Sequence, residues 1–131
     1  MTSFAFQHEC RLLTAADFKA VFEHAMYKVH QSGFLILAVT RHAESSQSRI
    51  GIVVAKRKIK RAHERNRFKR LTRESFRLHQ HQLPALDIVI MAKQGADHID
   101  NPQLHQELQN AWRMLVNRVN KQQLIQPTVS A

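Results

Sequence analysis

Between Lys56 and Arg77 the chain carries eleven basic residues against two acidic ones, Glu64 and Glu74. The other 109 residues hold nine basic and eight acidic side chains, so one segment carries nearly all of the formal charge of +10. Like charges gathered this closely repel one another and weaken the compact state, so the segment belongs at a surface. Its charge calls for a partner of opposite sign, and a polyanion is the expected one. A solvated helix face is the plainer alternative; it leaves the repulsion uncompensated.

The rest of the composition bounds the fold. A length of 131 residues suits a single domain spanning 1–131, large enough to bury a core without staples. Hydrophobic residues make up 44% and charged residues 23%, which is ordinary for a globular chain and argues against wholesale disorder. One cysteine, Cys10, cannot form an internal disulfide and suggests a reducing compartment. The longest apolar runs, Phe34–Val39 and Ile88–Ala92, are strand-sized and too short to span a membrane. Met1–Glu9 lacks a basic start followed by an apolar stretch, so no signal peptide is expected and the location reads as cytoplasmic. The ordered core should run from about residue 8 to 122. The first residues, the loop His42–Ser48 and the tail after about Leu124 lack apolar periodicity and should be flexible.

Periodicity gives the order α-β-β-α-β-α. Thr14 reads as an N-cap with Asp17 in the first turn of a helix to about His24, placing Phe18, Val21 and Phe22 on one face. Phe34–Thr40 and Arg49–Ala55 read as strands and are expected to pair as an antiparallel hairpin. The basic helix runs from about Ala62 to His81 and stops before Leu83-Pro84. Asp87–Lys93 is the third strand. Asn101-Pro102 reads as a cap and first-turn proline opening a last helix, whose Leu104, Leu108, Ala111, Trp112, Leu115 and Val119 form a core stripe. Trp112 is therefore expected in the core rather than as a stacking platform. The fold class is an α/β (α+β) two-layer sandwich with helices on a small mixed sheet. The second strand, basic helix and third strand form a candidate parallel crossover, right-handed by default.

On a helical wheel Phe68, Leu71, Ser75 and Leu78 form the stripe the basic helix should bury. Arg65, Asn66, Lys69, Arg70, Arg73 and Arg77 fall opposite. Guanidinium forks on one rigid face suit phosphate oxygens, and the amide of Asn66 can bond a sugar hydroxyl or a base edge. The turn Lys56–Arg61 sets further charge at the N-terminal end of the helix, where backbone N–H groups are anion receptors. Composition does not separate RNA from DNA.

The run Lys56–Arg77, centred on Arg65-Asn66-Arg67 and followed by Lys69-Arg70 and Arg73-Glu74, resembles the signature of the protein subunits of bacterial ribonuclease P. The flanks agree: Arg11-Leu12 with Asp17-Phe18, Arg49-Ile-Gly-Ile52, and the strand ending at Ala92-Lys93. The resemblance covers about Phe4 to Val119. It implies a ribonucleoprotein that removes the 5′ leader of precursor tRNA, in which the RNA subunit carries the chemistry with bound magnesium and the protein itself holds no metal or cofactor. It implies RNA-binding residues Lys56, Arg57, Lys60, Arg61, Arg65, Asn66, Arg67, Lys69, Arg70 and Arg73. It also implies a leader cleft with the sheet as floor and Phe18, Phe22, Leu37 and Lys93 as lining; from the residues alone, Phe18 and Phe22 read as core. The partners implied are the RNA subunit and precursor tRNA, with no membrane and no second protein required. The crossover implied is the rare left-handed kind, and the resemblance is followed over the default. Two positions depart from the pattern: Leu37 stands where some members have an aromatic, and Phe4-Ala-Phe6 replaces early basic residues.

Other readings stay in view. A protein-only nuclease would need converging carboxylates, and the ten acidic residues are scattered. His63-Glu-Arg-Asn-Arg67 fails the His-Glu-x-x-His pattern, and His79-Gln-His81 supplies too few metal ligands. A ribosome-associated or duplex-binding module would share the basic helix. A helix lying on anionic membrane would need a wider apolar face than Phe68, Leu71 and Leu78 offer.

Overall fold

A computed structural model describes residues 14–41 and 47–125. The expectations for Phe4, Phe6, Cys10 and Arg11, and for the centre of the loop after His42, fall outside the described residues. The elements are α1 (Ala15–His24), β1 (Tyr27–His30), β2 (Phe34–Thr40), β3 (Arg49–Val53), α2 (Ala62–His79), β4 (Leu86–Ala92) and α3 (Asn101–Ile125), with short 3-10 turns at Gln80–Gln82 and Ala96–His98. The four strands form one mixed sheet in the order β1-β2-β4-β3.

The expected hairpin between Phe34–Thr40 and Arg49–Ala55 does not form. β2 instead pairs antiparallel with β1 and β4, and β3 lies beyond β4 in parallel register, Ile50 beside Ile88 and Ile52 beside Ile90. β4 reads Leu-Asp-Ile-Val-Ile-Met-Ala and presents apolar side chains to both faces, so burial places it at the centre. The parallel crossover β3-α2-β4 expected from the sequence is present. β1 is an additional edge strand. Its four residues alternate buried Tyr27 and Val29 with exposed Lys28 and His30, the pattern of a sheet edge wet on one face. This alternation is visible in the sequence but too short to stand out beside the helix before it.

One face of the sheet packs on α2 and α3. There Phe34, Ile36, Ile50, Ile88 and Ile90 meet Phe68, Phe76, Leu104, Leu108, Trp112 and Leu115 in one core. Phe34 and Phe68 meet edge to face at 6.3 Å, and Phe76 lies 5.9 Å from Trp112. The indole Nε1 of Trp112 donates to Ser75 Oγ at 2.8 Å, so Trp112 is a core residue with its polar end satisfied. This contact also corrects the buried stripe of α2. Phe68, Leu71, Thr72, Ser75 and Phe76 are buried, whereas Leu78 is 47% exposed. Docking against Trp112 turns the helix so that Phe76 takes the place expected of Leu78.

The other face carries α1. Thr14 caps it as expected: Thr14 Oγ1 accepts from the backbone N–H of Asp17, and Asp17 Oδ2 accepts from Thr14 N–H at 2.9 Å, a reciprocal capping box. Val21 is fully buried on Leu37 and Val89, with Phe18 against the same cluster. The last helix begins one residue earlier than the Asn101 cap predicts. Asp100 Oδ1 accepts from Gln103 N–H at 2.9 Å, which leaves Asn101 free to bond elsewhere.

Candidate nucleic-acid interface

The basic helix α2 presents two kinds of arginine. Arg65 turns back over the preceding turn, where its Nη1 donates to the carbonyls of Ile59 and Lys60 at 3.0 and 2.7 Å. Arg67 reaches across to the start of α3. It donates to Glu64 Oε1, to Asn101 Oδ1 and to the Ile99 carbonyl at 2.8, 2.6 and 2.9 Å. That hydrogen bond with Arg67 holds the Glu64 carboxyl below its usual range. The guanidiniums of Arg65 and Arg67 therefore build the scaffold, and Asn66 between them is exposed. Arg70 and Arg73 are exposed on the same side of the helix as Asn66, with Lys69 and Arg77 half-buried at its margins.

Lys56, Arg57, Lys60 and Arg61 are exposed in the turn from β3 into α2. Arg61, the N-cap of α2, makes no side-chain cap hydrogen bond at this end of the helix. The turn borders two concavities. On one side Arg57, Lys58, Lys60 and Arg61 face Gln94, Gly95 and Asp97 across a cleft of about 510 Å³. On the other, Arg57, Lys58 and Lys93 rim a groove of about 240 Å³ whose floor is Leu35, Val53, Met91 and Ala92. Leu35, Met91 and Val53 form one cross-strand row on the α1 face of the sheet, beyond the part that α1 covers.

Of the four residues expected to line a cleft, Phe18 and Leu37 meet in one cluster beneath α1, and Lys93 and Phe22 lie outside it. Lys93 lines the groove, with its Nζ fixed by the carbonyl of Gln31 at 2.7 Å. Phe18 packs on the cluster beneath α1, and Phe22, one turn on, is 47% exposed. Leu37 is buried under α1 and contributes packing rather than open floor. Leu35, Val53, Met91 and Lys58 are groove residues that sequence reasoning missed; alternation from Leu37 puts Leu35 on the same face.

Among the described residues no three His, Cys, Asp or Glu side chains gather as metal ligands would, and no helix is long and apolar enough to cross a membrane. The fold and these surfaces define a small α+β protein with a continuous cationic surface running from a sheet groove, round one turn, to a helix face. Residues 6–116 match the family model described as Ribonuclease P, and the chain belongs to the ribonuclease P protein family. It is 53% identical over 125 residues to the ribonuclease P protein component of Acinetobacter baylyi, covering 95% of this chain and 94% of the relative. The corresponding protein of Chromohalobacter salexigens is 48% identical, covering 93% and 94%. Among solved structures, the Staphylococcus aureus RNase P protein superposes with a TM-score of 0.71 at 28% identity, covering 79% of this chain and 93% of that one. The Thermotoga maritima RNase P protein gives 0.68 at 27%, covering 79% and 96%. Membership gives the chain a role in ribonuclease P, an RNA-cleaving ribonucleoprotein of tRNA processing, alongside an RNA subunit and a tRNA substrate.

Proposed function

We propose that this chain is the accessory subunit of ribonuclease P, holding the RNA subunit on the exposed face of α2 and the single-stranded 5′ leader of precursor tRNA in the sheet groove. The observation that carries the reading is the shared turn: Arg57 and Lys58 border both the groove and the cleft beside the N-terminus of α2. Positive charge thus runs from the leader groove to the helix that meets the RNA subunit, so that two RNAs lie side by side on one chain. Asn66, Lys69, Arg70 and Arg73 supply the helix contacts, while Arg65 and Arg67 hold the turn and the start of α3 in place behind them. In the groove, an apolar floor under a cationic rim suits unpaired nucleotides. Phe18, packed on the same apolar cluster as the floor residues Leu35, Val53 and Met91, supplies a stacking surface, exposed Phe22 a second, and the rim meets the phosphates.

The chemistry belongs, in this proposal, to the RNA subunit with its bound magnesium. The protein lowers the repulsion between two polyanions and adds leader contacts that the RNA alone lacks, so less magnesium is needed. Two variants separate the surfaces. Arg70→Ala weakens affinity for the RNA subunit, measured by filter binding at several salt concentrations. Phe18→Ala lowers affinity for leader-bearing precursor by a factor of roughly 5 to 150, the share of one lost stacking contact, and leaves mature tRNA affinity nearly unchanged. Loss of both affinities in parallel from either variant contradicts the division.

A further inference from the structure

At the end of the sheet away from the groove, α1 is tied down by a charge network. Arg49 on β3 grips Asp87 on β4 with two bonds, Nε to Oδ1 and Nη2 to Oδ2, both 2.8 Å. The same Nη2 lies 3.3 Å from Asp17 Oδ1 on α1, and Arg41 Nε lies 3.5 Å from Asp87 Oδ1. All four side chains are between 15% and 25% exposed. Two cations and two anions balance, so the cluster contributes nothing to the net charge available for RNA. Its members lie at three chain separations and join α1, β3, β4 and the residue after β2.

The two ends of α1 are held differently. Its C-terminal end runs straight into β1, and Met26 N–H donates to the Ala38 carbonyl at 2.9 Å. Among the described residues, its first turn meets the sheet through Asp17 and the packing of Phe18 and Val21. Asp17 divides its carboxylate: Oδ2 completes the capping box with Thr14, and Oδ1 faces Arg49. Phe18 is the next residue.

We infer that Arg49 and Asp17 are positioning residues for leader recognition, a latch that fixes the first turn of α1 on the sheet and so sets Phe18 against the nucleotides in the groove. The inference rests on the leader reading above. It assigns Arg49, otherwise one more basic residue in an RNA-binding chain, to a neighbour on α1 rather than to RNA. The arginine fork is needed for this: it spans both oxygens of Asp87 and still presents Nη2 to Asp17, which a lysine ammonium does not do.

The test uses the assembled holoenzyme and compares its affinity for precursor tRNA with its affinity for mature tRNA. Asp17→Asn keeps a side-chain oxygen for the Thr14 cap but removes the ion pair, and is expected to lower precursor affinity about two- to fivefold with mature tRNA unaffected. Arg49→Gln also undoes the grip on Asp87 and is expected to lower it about tenfold. Asp17→Glu restores the charge and most of the discrimination. Phe18→Ala serves as the reference. If it reduces the precursor preference while Asp17→Asn and Arg49→Gln do not, the latch is wrong and the groove stands. If Phe18→Ala itself has no effect, the leader reading fails first. Equal losses for precursor and mature tRNA from Asp17→Asn, unrestored by Asp17→Glu, mean Asp17 serves only folding and overturn the proposal.

Discussion

Arg65 and Arg70 lie five residues apart on one basic helix and have different work. Arg65 spends its Nη1 on two backbone carbonyls of the preceding turn. Arg70 is exposed on the face opposite the core. Substituting Arg65 by alanine leaves those carbonyls without a charged donor and costs about 1–3 kcal/mol of stability. A thermal melt should therefore show a lower midpoint for Arg65→Ala, and RNA affinity falls with it because the Lys56–Arg61 turn loosens. Arg70→Ala should leave the melt unchanged and lower the salt dependence of RNA binding by roughly 0.7–0.9 on the logarithmic slope, the share of one phosphate contact. Equal melting shifts for the two variants would contradict the assignment. On a helical wheel the two arginines look alike, because the wheel shows direction from the axis and not the carbonyls that a long side chain reaches by bending back.

At the scale of elements, the helices and the parallel crossover β3-α2-β4 were legible, and the antiparallel partners of β2 were not. Thr14 and Asp17 announce α1 because a capping box is a local event within four residues. Leu104, Leu108, Ala111, Trp112, Leu115 and Val119 announce α3 for the same reason, since periodicity is local. Pairing depends on competition among strands far apart in the chain. β4 displaces β3 from β2 because its both-sided apolar run gains more from the central position, and nothing near Phe34 signals this. The capping box has a further consequence for pH. The backbone N–H of Thr14, followed by its hydroxyl and Arg49, lowers the Asp17 carboxyl below its ordinary value of 3.8. A lowered folded value means the stabilisation of α1 is complete above 3.8 and is lost as pH falls through the lower, folded value. Wild type and Asp17→Asn, melted side by side, should therefore differ at neutral pH and converge in acid. A difference that persists or widens in acid would contradict this role for the carboxylate.

For the whole molecule, the segregation of charge along the chain has a structural counterpart. The balanced remainder supplies most of the core and the ion network Asp17–Arg49–Asp87, while the basic segment buries Phe68, Leu71 and Phe76 and sets its excess charge along one turn and one helix face. The family signature was readable because its residues are consecutive. The groove was only partly readable because Leu35, Val53 and Met91 come from three strands and meet only through the sheet register. The proposed function divides the labour between this surface and an RNA catalyst. Its most direct test is cleavage of precursor tRNA at low magnesium by the RNA subunit alone, the protein alone and the two together. Cleavage at the mature 5′ end by the mixture only is the predicted result. Cleavage by the protein alone, or a mixture no better than the RNA subunit, would contradict it.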